Sequence, residues 1–208
     1  MCGEDAVSSE HVPARGFFPE EAEYRKDLIT VPSCKKHNED TSSHDEYVRN
    51  FITTHEANNH LAFRQFKDKV TESLKRSKWM LGPAIKIQTQ KGTVYAIQIQ
   101  RWIFDQIFRK IAYALYFFKY GVPWNRELII LTRHLVYGDL STDDYGKLIV
   151  AVEEVLPPLP TNGKNPLVFK YSFLDGSEDP DKAILCMTFY EGFTVWFTVV
   201  QGSTKYKF

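Results

Sequence analysis

The chain has 208 residues, of which 43% are hydrophobic and 14% aromatic, enough for a substantial core and too apolar for wholesale disorder. Lys+Arg and Asp+Glu are equal at 26 each, which excludes a chain coated in one sign of charge but leaves room for a local basic patch. Three cysteines (Cys2, Cys34 and Cys186) do not make a disulfide framework, and the longest apolar run, "IAYALYFF" at 111–118, is far shorter than the roughly 20 residues a bilayer demands. With no basic-then-apolar leader at the start, the expectation is a cytoplasmic protein without a membrane partner, whose cysteines are free for metal.

Residues 5 to 33 read as short extended segments and loops, because Pro13, Gly16, Pro19 and Pro32 exclude a long helix. Thr41 or Ser42 then starts a helix, with Asp45 and Glu46 acidic in its first turn and Tyr47, Phe51 and Ile52 at helical spacing. A second helix, about 56–76, carries Leu61, Phe63, Phe66, Val70 and Leu74 as an apolar stripe among Lys and Arg. "AIKIQTQKGTVYAIQIQ", 84–100, alternates strictly around Lys91-Gly92 and predicts a β-hairpin. The segment from Arg101 predicts a long helix closed by Gly121, with Pro123 just beyond. A strand at 127–132 and a short helix near 143–155 follow, then three alternating strands in the tail, the last two turning at Glu191-Gly192. The fold class is α+β with a mostly antiparallel C-terminal sheet.

The chemistry-bearing residues crowd the first part of the chain. Five of the six histidines and two of the three cysteines precede residue 78. Glu10 offers the oxygen that a hard divalent cation prefers. His11 beside it points to the other face of a strand, free to act on a water rather than on the metal. Cys34-Lys35-Lys36-His37 sets two zinc-capable side chains at knuckle spacing ahead of a helix, and Cys2 supplies a further thiolate. Asn38 is by default a helix-entry residue, yet its amide oxygen could join Glu10. Lys35, Lys36 and Arg49, with Lys67, Lys69, Lys75, Arg76 and Lys78 on the second helix, either track a phosphate backbone or form a solvated face. Phe169, Tyr171, Phe189, Phe193, Trp196 and Phe197 in the tail suit a two-sided core better than a base-stacking platform. Cys186 reads as core, and His55, His60 and His134 as surface.

"CGEDAVSSEHVPARGFFP" and "LITVPSCKKHNEDTSSHDEYVRNFI" resemble the bacterial HNH endonucleases that carry an E-H-V-x-P motif and a C-x-x-C-N knuckle. The likeness covers residues 2 to about 52 and continues loosely into "ALYFFKYG" and "FYEGFTVWF". It implies a ββα-metal (treble-clef) module over residues 1–55, followed by an α+β domain over 56–208. It implies His11 as general base, Glu10 as acidic metal ligand and Asn38 as the residue completing a Mg²⁺ or Mn²⁺ site. Cys34 and His37 would be the second pair of a structural Zn²⁺ site, with His37 where the pattern has Cys. Cys2 matches the second cysteine of the opening pair, whose first member would fall ahead of Met1, and His44 is a candidate for the open position. The expected function is metal-dependent hydrolysis of nucleic acid, DNA first, with Lys35, Lys36 and Arg49 as nucleic-acid contacts. The alternative is a catalytically degenerate zinc-binding module that grips nucleic acid or a protein partner, in a defence or toxin system, with the C-terminal domain docking the partner.

Overall fold

The computed structural model describes residues 5–35, 41–76, 84–89, 92–97, 99–132, 146–147, 149–150, 154, 160–174 and 183–199. Strand β1 (Ser8–His11) pairs antiparallel with β2 (Thr30–Ser33), in a register that sets Glu10 opposite Val31 and His11 opposite Thr30. Between them the chain runs through two 3-10 turns, Arg15–Phe17 and Ala22–Arg25, and the Val12–Pro13 bond is cis. Phe17 and Phe18 insert into the core, so this proline-punctuated loop is anchored rather than trailing.

Helix α1 (Ser42–Ile52) follows, with Tyr47 and Ile52 of the expected apolar set buried, Phe51 half-buried, and Val48 buried beside them. The next helical stretch starts later than its apolar pattern suggests, at α2 (His60–Gln65), because Asn59 caps it: Oδ1 accepts from the Leu61 and Ala62 amides at 3.0 and 3.4 Å. A π-helical turn (Phe66–Val70) joins α2 to α3 (Thr71–Arg76). Leu61 and Val70 are fully buried, but Phe63 is 69% exposed. The expected stripe fails there because residues two apart on a helix face away from each other. Gln65 is buried instead, its amide donating to the Phe17 carbonyl at 3.2 Å.

Strands β3 (Ala84–Thr89) and β4 (Gly92–Ile97) form the predicted hairpin, with Thr89 opposite Gly92, so the connection falls one residue earlier than Lys91-Gly92. Helix α4 (Arg101–Tyr120) ends as its sequence requires: Gly121 sits at φ 72°, in the left-handed region, and its amide donates to the Phe117 carbonyl at 2.8 Å. β5 (Leu128–Leu131) joins a four-stranded antiparallel sheet with β6 (Phe169–Leu174), β7 (Ile184–Phe189) and β8 (Phe193–Val199), in the order β5-β8-β7-β6. The short helix expected near 143–155 lies mostly outside the described residues.

One hydrophobic cluster runs from Val12, Phe17 and Phe18 through Tyr47 and the inner face of α4 to Phe189, Phe193 and Phe197, across the division expected at residue 55. Phe104 meets Tyr47 and Phe51 edge-on at 5.7 and 5.0 Å, and Phe108 meets Phe189 and Phe193 at 6.3 and 6.1 Å. α4 is thus the wall shared by the β1–β2/α1 corner and the C-terminal sheet. The aromatic residues of that sheet are core: Phe169, Tyr171, Phe189, Phe193, Trp196 and Phe197 are all buried. The β7–β8 turn carries Tyr190 and Glu191 at φ 47° and 63°, and packs Gly192 against the Ala57–Asn58 backbone so closely that a Cβ would lie 2.4 Å from Ala57. Among the described residues, no helix is long and apolar enough to cross a membrane.

Candidate functional site

Strand alternation sends the two residues of the Glu-His pair to different surroundings. Glu10 turns inward and is 8% exposed, whereas His11 is half-buried. Glu10 Oε1 accepts from the Lys110 ammonium at 2.7 Å. The same Nζ donates to Asp45 Oδ2 at 2.8 Å and to Thr41 Oγ1 at 2.9 Å. An ammonium has three N–H donors, and all three are spent on these acceptors. Lys110 comes from α4, Asp45 from the first turn of α1 and Thr41 from its N-cap. The Thr41 hydroxyl makes no side-chain cap bond to α1 and is turned towards Lys110.

Two oxygens of this cluster are held less firmly. Glu10 Oε2 accepts from Ser33 Oγ at 3.2 Å, but that hydroxyl also lies 3.3 Å from the Cys34 carbonyl and has one proton for both. Asp45 Oδ1 is buried with no hydrogen-bond partner. Burial raises the Asp45 carboxyl above its ordinary pKa of 3.8, outweighing the Lys110 charge that pulls it down.

Glu10, His11, Arg15, Asp45, Glu46 and Arg49 line a cleft of about 450 Å³ between β1 and α1. His11 Nδ1 is buried and unpartnered. Burial, then the neighbouring Arg15 charge, lowers the His11 pKa below 6.5, with Glu10 opposing. The ring is therefore neutral at pH 7 and able to accept a proton. Arg49 is buried, not displayed on an outer face. Its guanidinium donates to Asn50 Oδ1 at 3.1 and 2.7 Å and pairs with Glu46 at 3.4 Å, and any nucleic-acid contact it makes is inside the cleft. Ser73 Oγ, donating to Glu46 at 2.8 Å and accepting from Asn50 Nδ2 at 3.0 Å, braces this wall from α3.

Of the residues singled out from the sequence, the structure brings Glu10, His11 and Arg49 to one cleft. Cys34 is buried at the end of β2 and Lys35 is exposed beside it. Cys2, Lys36, His37 and Asn38 lie outside the described residues, so the zinc set and the Glu10–Asn38 pairing rest on the sequence. His44 bonds to Gln106 at 2.8 Å and stacks edge-on to Trp102, an engagement with α4 that the zinc expectation did not include. The second helix is also less available to phosphate than its composition suggests: Lys69 pairs with Glu20, Lys75 with Glu72 and Arg64 with Glu21. His55 is not surface decoration but meets Phe193 edge-on at 5.7 Å. Burial pushes the Cys186 thiol up to about 11, so it stays protonated at neutral pH and is inert as a nucleophile.

Among the described residues, no group of three or more His, Cys, Asp or Glu side chains is placed to hold a metal. The donor chemistry of the cleft nevertheless fits a hard divalent cation, which is commonly held by one or two carboxylates and otherwise by water and phosphate. The sequence marks Asp45 only as a first-turn acid of α1 and gives Lys110 no part in the site. No family model matches this chain, and neither the curated proteins nor the solved structures contain a detectable relative.

Proposed function

We propose that the β1–α1 cleft is the active site of a metal-dependent nuclease of the HNH type, with residues 1–55 as its ββα-metal module. The observation that carries this reading is the placement of a neutral, unpartnered imidazole, His11, next to carboxylates in one solvent-reached cleft. The order of elements, two antiparallel strands followed by a helix, agrees with it. His11 takes the proton from the attacking water, a role suited to a ring with a pKa near or below the working pH. Glu10, with Asn38 by resemblance, provides the oxygens for Mg²⁺ or Mn²⁺. That ion, when bound, supplies positive charge where negative charge develops on the phosphate. Arg15 and Arg49 offer the cleft's cations for a phosphodiester, and DNA is the substrate we assign first. Cys2, Cys34 and His37 are assigned to a structural Zn²⁺.

The test is nicking of supercoiled plasmid DNA in Mg²⁺ or Mn²⁺ by the wild-type chain and by His11→Ala. The substitution should reduce the rate by roughly a hundred- to ten-thousand-fold while leaving the fold and DNA affinity in place. Wild-type activity should rise with pH to a plateau, with an inflection below 6.5, because the neutral ring is the active form. Equal nicking by both proteins would remove His11 from catalysis.

One observation favours the second reading, a degenerate binding module. Both Glu10 oxygens already have protein partners, Lys110 and Ser33, so the carboxylate is more engaged than an open ligand. Under that reading DNA or a protein partner binds without metal-dependent turnover.

A further inference from the structure

The Lys110 cluster divides its carboxylate oxygens into two kinds. Glu10 Oε1 and Asp45 Oδ2 are held by one ammonium whose donors are exhausted. Glu10 Oε2 has only a shared hydroxyl proton, and Asp45 Oδ1 has no partner at all. The Asp45 side chain is 90% buried, and the residue lines the cleft beside Glu10. A buried carboxylate oxygen without a donor carries a desolvation penalty that nothing offsets, so such an atom calls for a ligand.

We propose that Asp45 is a ligand of the divalent ion at this cleft, the second carboxylate beside Glu10, bound through the oxygen that Lys110 leaves free. This rests on the cation-binding part of the nuclease reading and extends it to a residue outside the HNH resemblance. Two carboxylates are the protein share usual for Mg²⁺ and Mn²⁺, whose remaining positions go to water and substrate phosphate. Lys110 offsets one of the two negative charges and fixes both side chains from α4, so the two oxygens it leaves are already in place when the ion arrives, and Glu10 Oε2 has only the shared Ser33 proton to give up. Glu46 lines the same cleft, but its Oε1 takes both Ser73 and Arg49 and its side chain is a third exposed. It adds the same charge to the cleft without the buried, unpartnered oxygen that marks Asp45.

Calorimetric titration of the full chain with MnCl₂ separates ligand from field. Asp45→Asn should weaken Mn²⁺ binding by at least roughly tenfold, the scale on which groups around a metal act. Glu46→Gln, which removes the same charge from the same cleft, should weaken it by less than about threefold. Equal effects of the two substitutions, or none for Asp45→Asn, would overturn the assignment. A measurement on the wild type needs no variant: titration with diamagnetic Mg²⁺ should shift the side-chain carboxyl carbon of Asp45 as well as that of Glu10. A shift at Glu10 alone overturns the proposal. Plasmid nicking that depends on His11, together with an unaffected Asp45→Asn titration, sinks this inference and keeps the nuclease. Loss of Mn²⁺ binding in Asp45→Asn from a wild type that never nicks DNA does the reverse. A wild type with no saturable Mn²⁺ binding sinks both.

Discussion

Lys110 illustrates how one side chain decides the state of its neighbours. Its side chain is 12% exposed, and its ammonium counters the carboxylates of two side chains that are each about 10% exposed. Removing one partner of such a buried cluster is costly because the remaining charges lose their compensation. Lys110→Met should therefore lower stability at neutral pH by about 3–5 kcal/mol, read from urea denaturation. The direction with pH follows from Asp45. Its folded pKa already lies above 3.8, so its contribution is present below that value and lost as pH rises through the folded pKa. Without Lys110 this loss deepens, and the deficit of the variant should shrink as the pH is lowered towards 4. A deficit independent of pH would assign the damage to packing of the lysine stem. Glu10 and His11 were legible in the sequence because adjacent residues of that chemistry stand out. Lys110 was not, since its partners lie 100, 69 and 65 residues away and its own surroundings read as an ordinary helix. Asp45 was legible only as a first-turn acid, a reading that matched its place in α1 and missed its burial.

The elements were easiest to foresee where punctuation is local. Gly121 closes α4, and the alternation of β3, β4 and the tail strands gives antiparallel pairs. The start of α2 was harder, because Asn59 works on two elements at once. Its Oδ1 caps α2, its Nδ2 donates to the Leu167 carbonyl at 2.7 Å and to Glu191 at 3.0 Å, and its amide donates to the Tyr190 carbonyl at 2.9 Å. Asn59→Ala should cost about 1–2 kcal/mol, the range for a good N-cap. Asn59→Asp keeps the cap acceptor but faces Glu191 with a second carboxylate, and should recover only part of the loss. Thermal melts of the two variants distinguish the roles: full recovery in Asn59→Asp would show that the contact to the β7–β8 turn contributes little. The exposed Phe63 belongs to the same scale, since hydrophobic residues two apart cannot share a helix face.

At the scale of the whole molecule, the division expected at residue 55 is spanned by one hydrophobic cluster, which passes from Phe17 and Tyr47 through α4 to Phe197. Tyr190 makes the same point from the other end of the chain. Its buried hydroxyl donates to the Phe17 carbonyl, and Gln65 donates to that carbonyl too, so the C-terminal hairpin braces the loop beside the cleft. A core shared in this way should unfold as one unit, with calorimetric and van't Hoff enthalpies equal within error. A calorimetric enthalpy well above the van't Hoff value would restore two separately unfolding parts. The long reach of Lys110 also has a meaning in time. A chain emerging from the ribosome presents Glu10 and Asp45 well before the residue that holds them together. Until α4 has been made and has docked, nothing opposes the repulsion of the two carboxylates, and the cleft has no fixed shape. Contacts of such separation form late because the intervening chain must first be closed into a loop. The cleft thus takes its shape only once α4 has left the ribosome, and a chain cut short before Lys110 holds the strands and α1 without the residue that joins them.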